Sequence, residues 1–304
     1  LFWGAMIKAT RFWGGDRSQG KAFGLLDGGR GIVAASMGSI GVFIFSIILT
    51  KDIESASMLE RQEAFRYVIL FSSFMVALIG LLVLIFLRNS DEKNSMVESS
   101  LNSLTNIKNV LKNESIWLLM LIIMCAYVGY KVTDIYSLYA SEIMLFDEIE
   151  AAEVGALQLY LRPIICIAIG LLADKTKNLF WIIFGFIIML IGAVIFSLGF
   201  IKSNMYFIFF LSLIVLAVGT YSIRALYFAV LKEAKVPFAL TGTAVGLISV
   251  VGYSPDIFAG PMIGYLLDEN PGIVGHQYVY FMLVVFSLIG LIASIRFSFR
   301  INRA

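Results

Sequence analysis

The sequence predicts an all-α membrane protein, a bundle of eight complete transmembrane helices plus a partial one, on three observations. Hydrophobic residues fill 60% of the 304 positions and charged residues 14%, against about 45–50% and about 25% in a soluble domain. A soluble core cannot enclose that much apolar surface, so the surplus faces lipid, which only helices or closed barrels can do with their backbones satisfied. The apolar residues also form continuous runs of at least about 20 residues, the length that crosses the hydrocarbon, rather than the short alternating segments of a barrel.

The chain opens on Leu1 with "LFWGAMIKATRFWGG", which reads as the second half of an earlier helix, with no signal-peptide pattern. A fragment whose beginning is missing is the expectation. The first two spans follow at Phe23–Leu49 and Tyr67–Leu87. A long polar stretch, Asn89–Ser115, opens with "NSDEKNS" and then places Leu101, Leu104, Ile107 and Leu111 at helical spacing. That suits a short helix on the membrane surface or a solvated linker with incidental leucines.

The third span, Ile116–Ser141, carries Tyr127, Tyr130, Lys131, Asp134, Ser137 and Ser141 along one face. A polar stripe through an oily helix is expected to face a wet cavity, because a charge in hydrocarbon costs at least about 2.5 kcal/mol. Lys131 and Asp134 can alternatively neutralise each other. The fourth span, Ala152–Ala173, carries Gln158 and Arg162 on one face, with Pro163 expected to bend the helix. Arg162 has no acid within four positions, so it needs an anion from another helix or from a solute.

The fifth span, Leu179–Ile201, is apolar throughout. The sixth, Met205–Leu231, presents Thr220, Arg224 and Tyr227 together, and Arg224 is expected to bind solute, snorkel or join a gate. The seventh, Leu240–Leu267, carries Ser249, Tyr253 and Asp256, with Pro255 and Pro261 flanking an expected bend, and broken helices are where transporters place sites. The eighth is Tyr278–Ile295. Gly24 and Gly28, Gly242 and Gly246, and Gly260 and Gly264 have the small-xxx-small spacing that lets helices pack closely.

Lys and Arg fix the expected orientation. With the segment after the first partial helix placed inside, sixteen basic residues fall inside, four fall outside and three lie within spans. Glu142–Glu153, on the outer side, has five acids and no base. The C-terminus is then cytoplasmic and the membrane the plasma (cytoplasmic) membrane. Cys125 and Cys166 lie inside apolar runs and read as core residues. His276, the single histidine, sits at an outer helix end near Asp268 and Glu269. No metal site, cofactor, catalytic cluster or nucleic-acid surface is visible.

"GLLADKTKN", Gly170–Asn178, lies between two spans and is similar to the loop motif of the major facilitator superfamily at Gly170, Asp174 and Lys175, while Lys177 and Asn178 depart from it. An acid there can sit against a helix N-terminus. The layout also resembles that superfamily, with six spans after a long loop and two spans and a part before it. "QGKAFGLLDGGRG" and "GYSPDIFAGPMIGYLLD" are similar to its carriers of organic solutes. The resemblance maps the chain onto helices four to twelve of twelve. It implies that residues 1–88 are the rest of a first bundle, 89–115 the cytoplasmic loop between bundles, and 116–304 a second six-helix bundle. "GGRGIVAASMGSIG" lacks the Gly-Pro pair of the antiporter motif.

The expected function is secondary active transport of a small polar solute by a monomer, through alternating access and coupled to protons. Lys131, Arg162 and Arg224 against Asp134 and Asp256 leave a net +1, which favours an anionic solute over a neutral sugar. The candidate contacts are Tyr127, Tyr130, Lys131, Asp134, Gln158, Arg162, Arg224 and Tyr253. Asp256 is the candidate proton carrier, because no base lies within four residues on its own helix, and Asp134 stands second. A transporter-like sensor that signals through a partner is the alternative class.

Overall fold

Among the described residues of the computed structural model, eight helical segments, two of them broken, are long and apolar enough to cross a membrane. The structure describes residues 2–48, 57–86 and 103–303. In chain order the helices are α1 Phe2–Gly14, α2 Gln19–Ile48, α3 Met58–Phe86, α4 Ser103–Leu111, α5 Glu114–Val132, α6 Tyr136–Glu142, α7 Glu148–Lys175, α8 Asn178–Ser197, α9 Tyr206–Leu226, α10 Thr241–Gly252, α11 Pro255–Glu269 and α12 Ile273–Arg303. Among the described residues there is no strand. All eight expected spans are present as helices. The polar run 89–95, Leu101 and the span ends Leu49 and Leu87 lie outside the described residues.

Contacts divide the chain into two units. Residues 32–100 form one, and residues 1–31 with 101–304 the other. In the first, α3 packs on the second half of α2, where Ala64 is buried under Phe45 and Ile48. Many of its other apolar side chains, Phe74, Val76 and Leu84 among them, are exposed, as suits lipid-facing helices.

The larger unit holds one continuous apolar core. In it α8 packs on α9, α12 on α8 and α5, α10 on α5, α7 on α9, and α1 on α10. Local chemistry sets its helix starts. Asn113 accepts from Ser115 N–H at the head of α5 and donates to Ala234 O at 2.9 Å. Asp147 and Glu150 form a reciprocal capping box at the head of α7, which gives two acids of the acidic loop a local role. The expected short helix between spans is α4.

Three spans differ in detail from their expected form. The third breaks into α5 and α6 at a 3₁₀ turn, Thr133–Ile135, which carries Asp134. The sixth stops as an α-helix at Leu226 and continues as a turn with 3₁₀ residues Ala229–Leu231. The break in the seventh lies at Tyr253–Ser254, and Pro255 starts α11, where its missing N–H costs nothing. Pro163, by contrast, lies inside an unbroken α7.

Candidate functional site

The site begins with glycines. Along α2, Gly20, Gly24, Gly28 and Gly31 face Gly170, Cys166, Ile167 and Pro163 of the antiparallel α7. A Cβ on Gly24 would lie 2.6 Å from Cys166 O, and one on Gly170 would lie 2.9 Å from Gly24 Cα. Nothing larger than hydrogen fits, so the two backbones touch. The other two small-xxx-small pairs differ. A Cβ on Gly242, Gly246, Gly260 or Gly264 would meet nothing within 4 Å among the described residues, yet Gly242 packs closely from its other side, since a Cβ on Gly4 of α1 would lie 3.4 Å from Gly242 O.

That contact carries Asp27 of α2 to Arg162 of α7. Arg162 Nη2 donates to Asp27 Oδ1 at 2.8 Å and Nε to Oδ2 at 3.3 Å, a two-pronged fork. Both side chains are 8% exposed. Of the two anions the sequence left open for Arg162, the structure supplies the one on another helix. Arg224 of α9 approaches the same carboxylate, Nε to Oδ2 at 3.4 Å, and Arg30 one turn along α2 reaches Oδ1 at 3.4 Å. Cys166 Sγ lies 3.4 Å from Oδ2. Three guanidiniums therefore share one buried carboxylate.

Arg224 is 6% exposed. It does not snorkel; its guanidinium lies over the Tyr130 ring, 3.8 Å from the centroid, and 5.6 Å from the centroid of the Tyr127 ring. Nε and Nη1 of Arg224 have no hydrogen-bond partner among the described residues. A cavity of about 150 Å³ opens beside it, lined by Trp3, Arg30, Tyr127, Arg224, Tyr253 and Asp256. Arg30 stacks on Trp3 at 4.9 Å. Tyr253 shares a hydroxyl contact with Tyr227 at 3.2 Å and packs edge-on against Tyr127 and Trp3.

At the rim, Lys131 Nζ lies 2.9 Å from Asp256 Oδ1, and Tyr127 OH donates to both Asp256 oxygens at 3.2 and 3.1 Å. No base lies within four residues of Asp256 on its own helix, but Lys131 reaches it from α5, which weakens the case for Asp256 as proton carrier. Lys131 thus makes its direct ion pair with Asp256, and Asp134 forms none among the described residues, although the two charges remain near enough to act on each other. Gln158 donates to Thr133 O at 2.7 Å and accepts from Tyr221 OH at 3.4 Å, so its amide ties α7 to the α5 break and to α9.

The loop-motif residues sit at the base-rich end. Asp174 accepts from Gly20 N–H at 2.7 Å and Lys21 N–H at 3.0 Å, which places a carboxylate on the N-terminus of α2. Gly170 is the close-contact glycine one turn earlier, and Lys175 is exposed at the end of α7. His276 is fully buried, and its partner is Glu142, at 2.9 Å, rather than Asp268 or Glu269. No group of metal-ligating side chains occurs among the described residues.

Sequence reasoning missed Asp27 and Arg30. Arg30 is one of the sixteen basic residues assigned to the inside, and it is the single cation within four positions of Asp27. The signal that could have found them is the pairing of two isolated mid-span charges of opposite sign, Asp27 and Arg162, on different helices.

The family model of the Major Facilitator Superfamily matches residues 1–260. The inner membrane protein YihN of Escherichia coli strain K12 is 26% identical over 307 residues, spanning 99% of this chain and 70% of that protein. The inner membrane protein YqcE of the same strain is 25% identical over 290 residues, 93% of this chain and 66% of that protein. A crystal structure of a bacterial homologue of the iron transporter ferroportin, in an outward-facing state, shares the fold at a TM-score of 0.53 and 14% identity. It covers 79% of this chain and 55% of its own.

Proposed function

The chain belongs to the Major Facilitator Superfamily, and on that premise we propose that it moves a small polar organic anion across a membrane by alternating access, driven by a secondary gradient. The observation that carries this reading is the sharing of Asp27 by Arg30, Arg162 and Arg224 beside a cavity. Buried cations are tolerated only when paired, and one carboxylate leaves two positive charges for a mobile anion to meet. Arg162 orients Asp27 in this scheme, Arg224 and Arg30 face the solute, Tyr127 and Tyr253 wall the space, and the Tyr130 ring backs Arg224. Lys131 and Asp256 form a rim pair.

The reading includes proton coupling through Asp134. It stands at the α5–α6 break without an ion pair among the described residues, whereas Asp256 is paired with Lys131 at 2.9 Å. The protein is placed in the plasma (cytoplasmic) membrane as a monomer with its C-terminus cytoplasmic. Residues 1–88 and 116–304 belong to two bundles that rock about the site.

The test is counterflow in proteoliposomes containing the intact protein, with labelled sugar acids, small carboxylates, phosphate esters and neutral sugars. Saturable exchange of at least one anion is expected, with no exchange of neutral sugars. Exchange of a neutral sugar and of no anion would overturn the reading. Anion binding without flux would point instead to a solute sensor.

A further inference from the structure

We propose that the cavity beside Arg224 is a subsite for a tetrahedral oxyanion, the phosphate group of a small monoester; this deepens the anionic reading above and rests on it. The buried polar atoms left without partners around the cavity are all donors. They are Arg224 Nη1 and Trp3 Nε1 among the described residues, while Arg224 Nε has only its 3.4 Å approach to Asp27 Oδ2 and no hydrogen bond. The one carboxylate lining the cavity, Asp256, already receives Lys131 and the Tyr127 hydroxyl. What the cavity lacks is acceptors. A buried donor without an acceptor is costly, so a site built this way is completed by a ligand rich in oxygen.

The donors are spread over three side chains on three helices, Trp3 on α1, Arg30 on α2 and Arg224 on α9. A carboxylate offers two oxygens in one plane and is satisfied by a single guanidinium fork. Three terminal oxygens on a tetrahedral centre can each meet a different side chain.

Size and charge agree with this. The cavity of about 150 Å³ has room for a phosphate group. A phosphate monoester carries about −1.5 to −2 at neutral pH. That matches the two positive charges left when three guanidiniums share Asp27, while the Lys131–Asp256 pair is neutral in itself. The Tyr130 ring under Arg224 and the Trp3 ring under Arg30 hold both guanidiniums flat and exclude water from one side.

The test uses the purified intact protein in detergent, with thermal unfolding followed at constant ionic strength against inorganic phosphate, methyl phosphate, dimethyl phosphate and acetate. Phosphate and methyl phosphate are expected to raise Tm saturably, while acetate and the diester do not at equal concentration. Arg224→Gln is expected to abolish the response. Trp3→Phe keeps an aromatic ring and removes only the N–H, and should weaken phosphate binding about tenfold or more, as loss of a hydrogen bond to a charged group does. An equal response to acetate overturns the tetrahedral assignment and leaves the anionic reading standing. A preference for the diester points to a lipid headgroup and overturns the monoester. No response to any anion overturns both readings, and a phosphate response unchanged in Trp3→Phe and Arg224→Gln places binding elsewhere and overturns the subsite.

Discussion

Replacing Asp27 by Asn keeps the side chain's shape and deletes its charge, and it is expected to destabilise the protein by about 3–5 kcal/mol, the cost of leaving a buried ion without its partner. The geometry supports the upper part of that range. Asp27, Arg162 and Arg224 are all more than nine-tenths buried, so solvent screens the pairs little. One pair at close contact is worth about 4 kcal/mol at an effective dielectric constant near 20. The Asp27–Arg162 fork is bidentate, and Arg224 adds a second interaction at 3.4 Å. Relief from desolvating the carboxylate offsets part of the loss, as does the one acceptor that Asn retains.

The assay is SDS-induced unfolding in mixed micelles, read by circular dichroism for wild type, Asp27→Asn, Arg162→Gln and the double variant. The double variant should lose at least about 2 kcal/mol less than the sum of the singles, because contacting partners are not additive. A loss below about 1 kcal/mol for Asp27→Asn, the range of an exposed pair, would refute a buried, charge-sharing cluster.

Other consequences are open to measurement. Asp134→Asn should abolish accumulation driven by a pH gradient while solute exchange at equal pH survives, and Asp256→Asn should keep the pH dependence; the reverse pattern would return the coupling role to Asp256. Gly24→Val should cost about 1–3 kcal/mol or more by overpacking against Cys166 O, while Gly264→Ala, whose Cβ meets nothing within 4 Å, should be neutral in the same unfolding assay. With Cys125 and Cys166 buried, Asp147→Cys should react with an impermeant thiol reagent from outside and Lys177→Cys should not. Reaction at Lys177→Cys alone would invert the topology.

The spans were legible because membrane thickness imposes a length and lipid imposes a composition, and both can be read locally. The break at Thr133–Ile135 was not, since nothing in "KVTDIYS" forbids a continuous helix. The site was legible in its parts and not in its pairing. Arg162, Arg224, Lys131, Asp256, Tyr127, Tyr130 and Tyr253 were all picked out as mid-span polar residues. Each was then weighed against neighbours on its own helix. Arg162 and Asp27 are 135 positions apart, and Lys131 meets Asp256 across 125, so the partners that decide their states come from tertiary packing. Gly24 and Gly28 found a neighbour, and Gly260 and Gly264 did not, although their spacing is the same. Which of two equal motifs finds a partner depends on the surface opposite, which one sequence does not display.

The strip where α2 meets α7 has a mechanical meaning. Helices usually hold register because side chains of one sit in the hollows of the other. Here backbone lies on backbone at Gly20, Gly24 and Gly170, so the two rods are pressed together along a surface almost without teeth. Such a joint resists being pulled apart far more than it resists slipping lengthwise. What keeps it in place is a polar tie at each end, Asp174 on the first amides of α2 and Asp27 on Arg162. A slip of one four-residue step, about 6 Å, would undo both ties at once, so the strip behaves as a drawer with a catch at the front and another at the back.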